Sequence, residues 1–366
     1  MKLVDRIKYN PLHYMSLGSK ELFHSNVWAW LIESYDLRFA KCFFVDIDIN
    51  AIKSVGREEG NRDLTIWTKD NKAFVIENKF KSMPTIEQLL KYEQSFKKDV
   101  FQKGLLTGIF NPNFDFKKYK LNWSFLSYQD IAKKILEVLN TIDNKNTYEY
   151  QTTKKYVEYL QDLSDIIPNF LNTSKNTLIY DSMEGFQEME NLRLGDLCKK
   201  INMNNFRDYL DINDCKIRYE KDGIKWVDNI DFTRKSALIS CRLMIETNRE
   251  ETIEIGVQIQ GSQYRKYFTK CSPDIKKSNI EEQEKMFNYL KSVNWFSDIK
   301  EDKTLFEHKT SLEKDYNKFI KDQSYSMIYQ YWNIEDYSFM YLKDNLIHDL
   351  DLSLKIINEL KNKNHN

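Results

Sequence analysis

NRDLTIWTKDNKAFVIENKF, residues 61–80, is the stretch that decides how this chain is read. Two strand-like runs, Leu64 to Trp67 and Ala73 to Phe80, flank the turn-rich KDNK segment and together spell a hairpin. Side chains alternate along a strand, so Glu77 and Lys79 share one face with Val75, while Phe74, Ile76, Asn78 and Phe80 take the other. Asp63 opens the first run, 14 residues before Glu77. Two carboxylates and a lysine converging at a sheet edge are costly to bury unless they hold a cation. Mg²⁺ suits such a set, because it takes oxygen ligands, keeps several waters and is held by one or two carboxylates plus substrate phosphate. A Glu-x-Lys pair on a strand is commonly no more than a solvated face. Here the strongly apolar run FVIENKF around it argues for burial.

Working outward, residues 20–35 predict an amphipathic helix with Leu22, Val27, Trp28, Leu31 and Ile32 as its apolar positions and Ser19 as N-cap. Cys42 to Ile49 reads as a further strand, closed by the REEGN turn signal at 57–61. Pro84 opens a helix running to about Lys98, with Thr85 and Glu87 in its first turn. Strands near Leu105 to Phe110 and Trp123 to Leu126 precede a helix from about Gln129. This order predicts an α/β fold, a mixed central sheet flanked by helices, with at least one parallel strand pair across the crossover helix. Residues 150–211 are mostly helical in pattern, 215–270 strand-rich (IRYE, ALISCRLMIE, TIEIGVQIQG, YRKYFT), and 280–293 and 344–361 helical again. The expected division is 1–170 as the core and 171–366 as an α+β C-terminal region with an antiparallel sheet carrying IEIGVQIQG.

The chain has 366 residues, 41% hydrophobic and 14% aromatic, with 10 Gly and 5 Pro, a globular composition with no low-complexity tract or repeat. Its 55 basic and 55 acidic side chains cancel, which excludes a globally basic nucleic-acid coat; any polyanion contact must be local. From Lys53 to Lys120 there are 14 basic and 9 acidic residues, a local surplus of five positive charges. No apolar run approaches the roughly 20 residues that span a bilayer. Lys2 and Arg6 are followed by no apolar segment of a secretory signal. Five scattered cysteines without a CxxC pair, and five histidines without HxxxH spacing, argue for reduced thiols in the cytoplasm and against zinc.

With these elements in order, the sequence resembles the PD-(D/E)xK nuclease superfamily, in which a hairpin presents an Asp and then (D/E)-x-Lys after a leading helix that often carries a Glu. The matching residues are Asp63, Glu77-Asn78-Lys79, and Glu21 in KELFHSNVWAWLIE. The resemblance is closest to a bacterial branch with an E-x-x-HS helix, an I-E-N-K strand and a Q-x-x-x-Y helix, the last supplied by Gln88 and Tyr92; it spans roughly residues 15–135. Arg62 stands where the family has proline, and Glu58 or Glu59 are alternatives to Glu21. The resemblance implies a restriction-endonuclease-like core and a metal-dependent endonuclease acting on DNA, in restriction or phage defence. It implies Asp63, Glu77 and the main-chain carbonyl of Asn78 as ligands of Mg²⁺ or Mn²⁺, with Glu21 acting directly or through water. Lys79 would orient the attacking water and Gln88 would bond water or phosphate, leaving a 5′-phosphate product. A catalytically silent nucleic-acid- or protein-binding member of the fold, and a nuclease acting on RNA, are the alternatives. A homodimer or an operon-encoded protein partner is left open.

Three further features have structural and functional readings side by side. His24, three residues after Glu21, reads first as a satisfied structural histidine and second as a neighbour of the site. Tyr92 reads as a packing tyrosine one turn after Gln88. Gln258, Gln260, Gln263, Tyr264 and Arg265 suit nucleic-acid contact, although strand alternation explains the Gln pair equally well. Because the catalytic set is complete before residue 100, residues 171–366 are expected to govern substrate or partner choice.

Overall fold

In a computed structural model of the chain, the residues described are 2–16, 20–60, 62–80, 84–95, 101–111, 115–233, 236–247, 251–271, 280–296 and 325–365. They form two compact units, Met1–Thr173 with Glu188–Leu197, and Ser174–Gln187 with Cys198–Asn366.

The first unit begins with helices α1 (Leu3–Lys8), α2 (Pro11–Ser16), α3 (Lys20–Ser34) and the short α4 (Ala40–Phe43). Strands β1 (Ile52–Glu59), β2 (Arg62–Thr68) and β3 (Ala73–Lys79) follow, then α5 (Ile86–Ser95), β4 (Phe101–Gly108), β5 (Trp123–Ser127), α6 (Tyr128–Leu139) and α7 (Tyr148–Thr173). The five strands lie in the order β1-β2-β3-β4-β5, antiparallel from β1 to β3 and parallel from β3 to β5. This is the mixed sheet flanked by helices that the pattern predicts, with α5 as the crossover. The KDNK segment closes the β2–β3 hairpin: Asn71 takes the left-handed conformation (φ 61°) and the Thr68 hydroxyl accepts from the Lys72 N–H at 3.1 Å.

The sheet is covered on both faces. Helix α3 packs against β1, β2 and β3. On the opposite face Ala73, Val75, Leu106, Leu121 and Trp123 bury against Leu89 of α5, with Tyr92 and Phe116 at the margin. Gly104 is required there, since a Cβ at that position would stand 2.7 Å from the Trp123 ring.

The second unit contains α10 (Ile212–Tyr219), β6 (Lys225–Thr233), β7 (Ser236–Glu246), β8 (Thr252–Gln260), β9 (Gln263–Cys271), α11 (Ile280–Ser292), β10 (Tyr325–Asn333) and α12 (Phe339–His365). Helices α8 (Phe186–Asn191) and α9 (Gly195–Leu210) straddle the division between the units. The strands form an antiparallel sheet, β10-β9-β8-β7-β6, with IEIGVQIQG on its central strand. Helix α12 packs on β7 and β8, burying Ile253, Ile255, Val257 and Ile259.

Several local expectations are corrected. Cys42 to Ile49 is not a strand: Ala40–Phe43 is helical, and Asp48 caps a 3₁₀ turn at Ile49–Ala51 by accepting from the Asn50 N–H. A carboxylate that bonds its own backbone competes with a strand ladder. IRYE (217–220) lies in and just after α10, whose cap Asp211 accepts from the Asp214 N–H. Cys215 and Tyr219, four apart, are buried while Ile217 is 80% exposed, a helical rather than an alternating pattern. In α3 the buried face is His24, Ser25, Trp28, Leu31 and Ile32, and Leu22 is exposed. REEGN is not all turn, because Arg57–Glu59 completes β1. Strands β6 and β10 were not anticipated. Ser19 and residues 96–98 of the predicted second helix lie outside the described residues.

Candidate active site

The site is assembled at the end of β3. The β2–β3 register pairs Leu64 with Ile76, and its continuation sets Asp63 opposite Glu77. Glu77 is 2% exposed, and the Lys79 ammonium approaches its Oε1 at 2.7 Å. From α5, the Gln88 amide lies 3.5 Å from the same oxygen and donates to the Tyr92 hydroxyl at 2.9 Å. Tyr92 is itself hydrogen-bonded to Glu77. Glu77, Lys79, Gln88 and Tyr92 therefore meet on the α5 side, as alternation along the strand requires.

Asn78 points the other way and is fully buried. Its amide donates to the Glu21 main-chain carbonyl at 2.8 Å and approaches Ser25 Oγ at 3.4 Å. Its Oδ1 accepts from the Tyr128 hydroxyl at 2.6 Å and from Thr107 at 3.2 Å. One amide thus ties the start of α3, β4 and the start of α6 to the end of β3. Its main-chain N–H donates to Asp63 Oδ2 at 2.6 Å, and the next N–H but one, that of Phe80, donates to Glu21 Oε1 at 3.2 Å. Gly108 lets β4 close on this point: a Cβ there would stand 2.6 Å from the Lys79 carbonyl.

The electrostatics are those of an acid-rich buried site. Burial, then the Glu77 charge, pushes the Asp63 carboxyl up to about 7, against the pull of the Asn78 N–H and Lys79. Burial also raises Glu77, opposed by Lys79 and the Tyr92 hydrogen bond and reinforced by Glu21. Burial opposes the charge on Lys79, but Glu77, Glu21 and Asp63 outweigh it and the ammonium is held above its ordinary value. Tyr92 is raised by burial and by Glu77. Two carboxylates on one ammonium leave negative charge that a divalent cation would relieve, and hard carboxylate oxygens are the donors Mg²⁺ takes. Among the described residues no group of three His, Cys, Asp or Glu side chains is placed to hold a metal ion. A cation here would accordingly complete its shell from water, phosphate and main-chain oxygen, the manner usual for Mg²⁺.

Other candidates fall into place around this core. Glu59 accepts from the Trp67 indole at 3.3 Å at an exposed position, and Glu58 adds only a minor upward push on Asp63. His24 is buried, bonded through Nδ1 to the Tyr156 hydroxyl at 2.8 Å and stacked on Phe80 and Tyr159, a structural role. Tyr264 is a core residue of the second unit whose hydroxyl donates to Asp349. Arg265 donates to Gln258 at 2.8 Å and to Gln263 on the same sheet. Sequence reasoning missed Ser25, Thr107 and Tyr128, and gave Tyr92 a packing role only. Ser25 is the serine of the E-x-x-HS pattern, but what it binds is not local, and nothing local marks Thr107 or Tyr128: the partner of all three is Asn78, 29 to 53 residues away. The Gln88–Tyr92 spacing was the available signal for the fourth.

No described helix is long and apolar enough to cross a membrane. No curated protein and no solved structure matches the chain. Residues 9–158 match the family described as the PD-(D/E)XK nuclease superfamily, a span that contains Glu21, the whole β2–β3 hairpin and α5. Over this span, the part of the chain that contains the site, the chain is similar to the PD-(D/E)XK nuclease superfamily.

Proposed function

We propose that this chain is a divalent-cation-dependent nuclease that cuts phosphodiester bonds within DNA, in restriction or phage defence. The observation that carries the reading is the buried Glu77, ion-paired to Lys79, with the half-buried Asp63 carboxyl opposite it raised by burial and by Glu77, inside a span that matches a nuclease family. Asp63, Glu77 and the main-chain carbonyl of Asn78 would hold Mg²⁺ or Mn²⁺, with Glu21 acting directly or through water. Bound there, the cation would polarise the scissile phosphate and lower the pKa of a water. Lys79, held beside Glu77, would orient the water for attack on phosphorus and stabilise charge growing on the phosphoryl oxygens. Gln88 donates to water or phosphate, and Tyr92 steadies Glu77 and Gln88. The Asn78 amide positions the set without touching substrate, by fixing the backbone between Glu77 and Lys79 against α3. Attack breaks the bond to the 3′ oxygen and leaves a 5′-phosphate. Residues 171–366 select the target; their deletion should alter target choice while a core of 1–170 retains some cation-dependent cleavage.

The test is cleavage of supercoiled plasmid, single-stranded DNA and RNA by wild type and Lys79→Ala, with Mg²⁺, Mn²⁺ or EDTA. Nicking that needs the cation and Lys79 supports the reading; faster cleavage of RNA moves the substrate, not the mechanism. Equal activity of the two proteins contradicts it. A second reading, a catalytically silent member that binds nucleic acid or protein, draws on the absence of a three-ligand group among the described residues. It predicts no cleavage of any substrate.

A further inference from the structure

Between β4 and β5 the chain carries Lys117-Lys118-Tyr119-Lys120, a run to which the site assigns no task. All four side chains are exposed, Tyr119 to 42%. None of the three lysines makes an ion pair with a described side chain. Most neighbouring cations of the unit are already engaged: Lys103 with Asp46, Lys72 with Asp70, Lys69 with the Asn50 carbonyl.

The run is held in a defined shape. The Lys120 N–H donates to the Lys117 carbonyl at 3.0 Å, and the Leu121 N–H to the Phe116 carbonyl at 2.9 Å. Lys120 adopts φ 55°, and Asp115, the one acid in the segment, accepts from the Lys118 N–H at 3.2 Å. A left-handed lysine is uncommon and costs the turn conformational energy. Phe116 and Leu121 bracket the run and sink into the apolar cluster that holds Val75, Leu89, Trp123 and Tyr92. Asn122 is fixed to α5 by its N–H to Glu93 Oε1, at 3.0 Å. The run is thus anchored through Phe116 and Leu121 to the cluster under α5, just before β5, at the strand ends opposite to those that carry Glu77 and Lys79.

From this arrangement we infer that the Lys117–Lys120 turn is a phosphate-backbone clamp, which grips the nucleic-acid substrate through the three ammonium groups while Tyr119 offers a ring to an unpaired base. The inference rests on the nucleic-acid reading of the site. Uncompensated lysines on the same unit as an acid-rich site answer a physical need: the carboxylates repel a polyanion, and attraction must come from elsewhere along the bound strand. Contacts of this kind position a strand without reading its sequence.

The test is binding of fluorescent duplex DNA, single-stranded DNA and RNA of one sequence to the full chain in EDTA, followed by anisotropy over a range of salt, with the probe checked for integrity afterwards. The variant is K117Q/K118Q/K120Q; its control, K2Q/K145Q/K154Q, removes the same charge from three exposed lysines elsewhere. The clamp predicts that the slope of log affinity against log salt flattens by about 2 to 3 in the first variant and is unchanged in the second. Y119A should weaken single strands more than duplex. Equal slopes in both triple variants, or no binding by the wild type, would overturn the clamp. Binding that shows the predicted slopes without any cleavage in Mg²⁺ or Mn²⁺ would sink the nuclease reading and leave the clamp standing.

Discussion

Both units bury charge against a sheet, and they compensate it differently. Among the described residues of the second unit, the buried Asp349 and the half-buried Glu254 are each matched. Asp349 holds the Lys266 ammonium at 2.9 Å and accepts from the Tyr264 hydroxyl at 2.8 Å, and Glu254 faces Arg242 at 3.1 Å. In the first unit Lys79 pairs with Glu77, and burial, then the Glu77 charge, pushes the neighbouring Asp63 carboxyl up to about 7. A structural pair is balanced within the protein, whereas the cluster proposed to receive a cation is left short of positive charge. The surplus of acid, rather than the presence of charge, is what separates a functional cluster from a stabilising one.

This contrast breaks first where a balanced pair is cut. Asp349→Asn strands the Lys266 ammonium and should lower stability by about 3 kcal/mol, the scale for a buried pair losing one partner; chemical denaturation of the full chain measures it. Loss of less than about 1 kcal/mol would show that the pair is effectively solvated. Next comes Lys79→Ala, which should reduce cleavage about 100-fold or more while Mn²⁺ binding by calorimetry persists, because Asp63 and Glu77 remain. Asn78→Ala should then cost about 2 kcal/mol, since the hydroxyls of Tyr128 and Thr107 lose a buried acceptor. Its amide-exchange protection at Phe80 should fall, because that N–H depends on Glu21 being held in place. Unchanged protection at Phe80 would deny Asn78 a positioning role.

The sequence revealed the hairpin and the alternation that splits Glu77 and Lys79 from Asn78, because both follow from period-2 geometry and turn chemistry within 20 residues. Helix α5 and the central strand Thr252–Gln260 were legible for the same local reason. The apolar CFFVDIDI run was misread, since local pattern cannot tell a strand from apolar residues around a carboxylate-capped turn. Lys225–Thr233 escaped because its mixed polar pattern becomes a strand only when paired with β7. What the Asn78 amide binds was invisible, because it is decided by elements that meet only in the folded chain.

Asp63 sits in an environment that penalises its charge, which fits a carboxylate kept to receive a cation. Its folded value of about 7 lies above the ordinary carboxylate range, so the folded state binds more protons than the unfolded one between about pH 4 and 7. Stability contributed by that proton is present below this window and lost as pH rises through it. Asp63→Asn keeps an acceptor for the Asn78 N–H and cannot ionise. The most direct test is thermal unfolding of wild type and Asp63→Asn in EDTA from pH 4 to 8, repeated at pH 8 with Mn²⁺. The account predicts that the variant matches wild type near pH 4, is more stable by about 1–4 kcal/mol at pH 8, and gains nothing from Mn²⁺, which stabilises wild type. A variant less stable than wild type at pH 8, or stabilised by Mn²⁺ to the same extent, would contradict it.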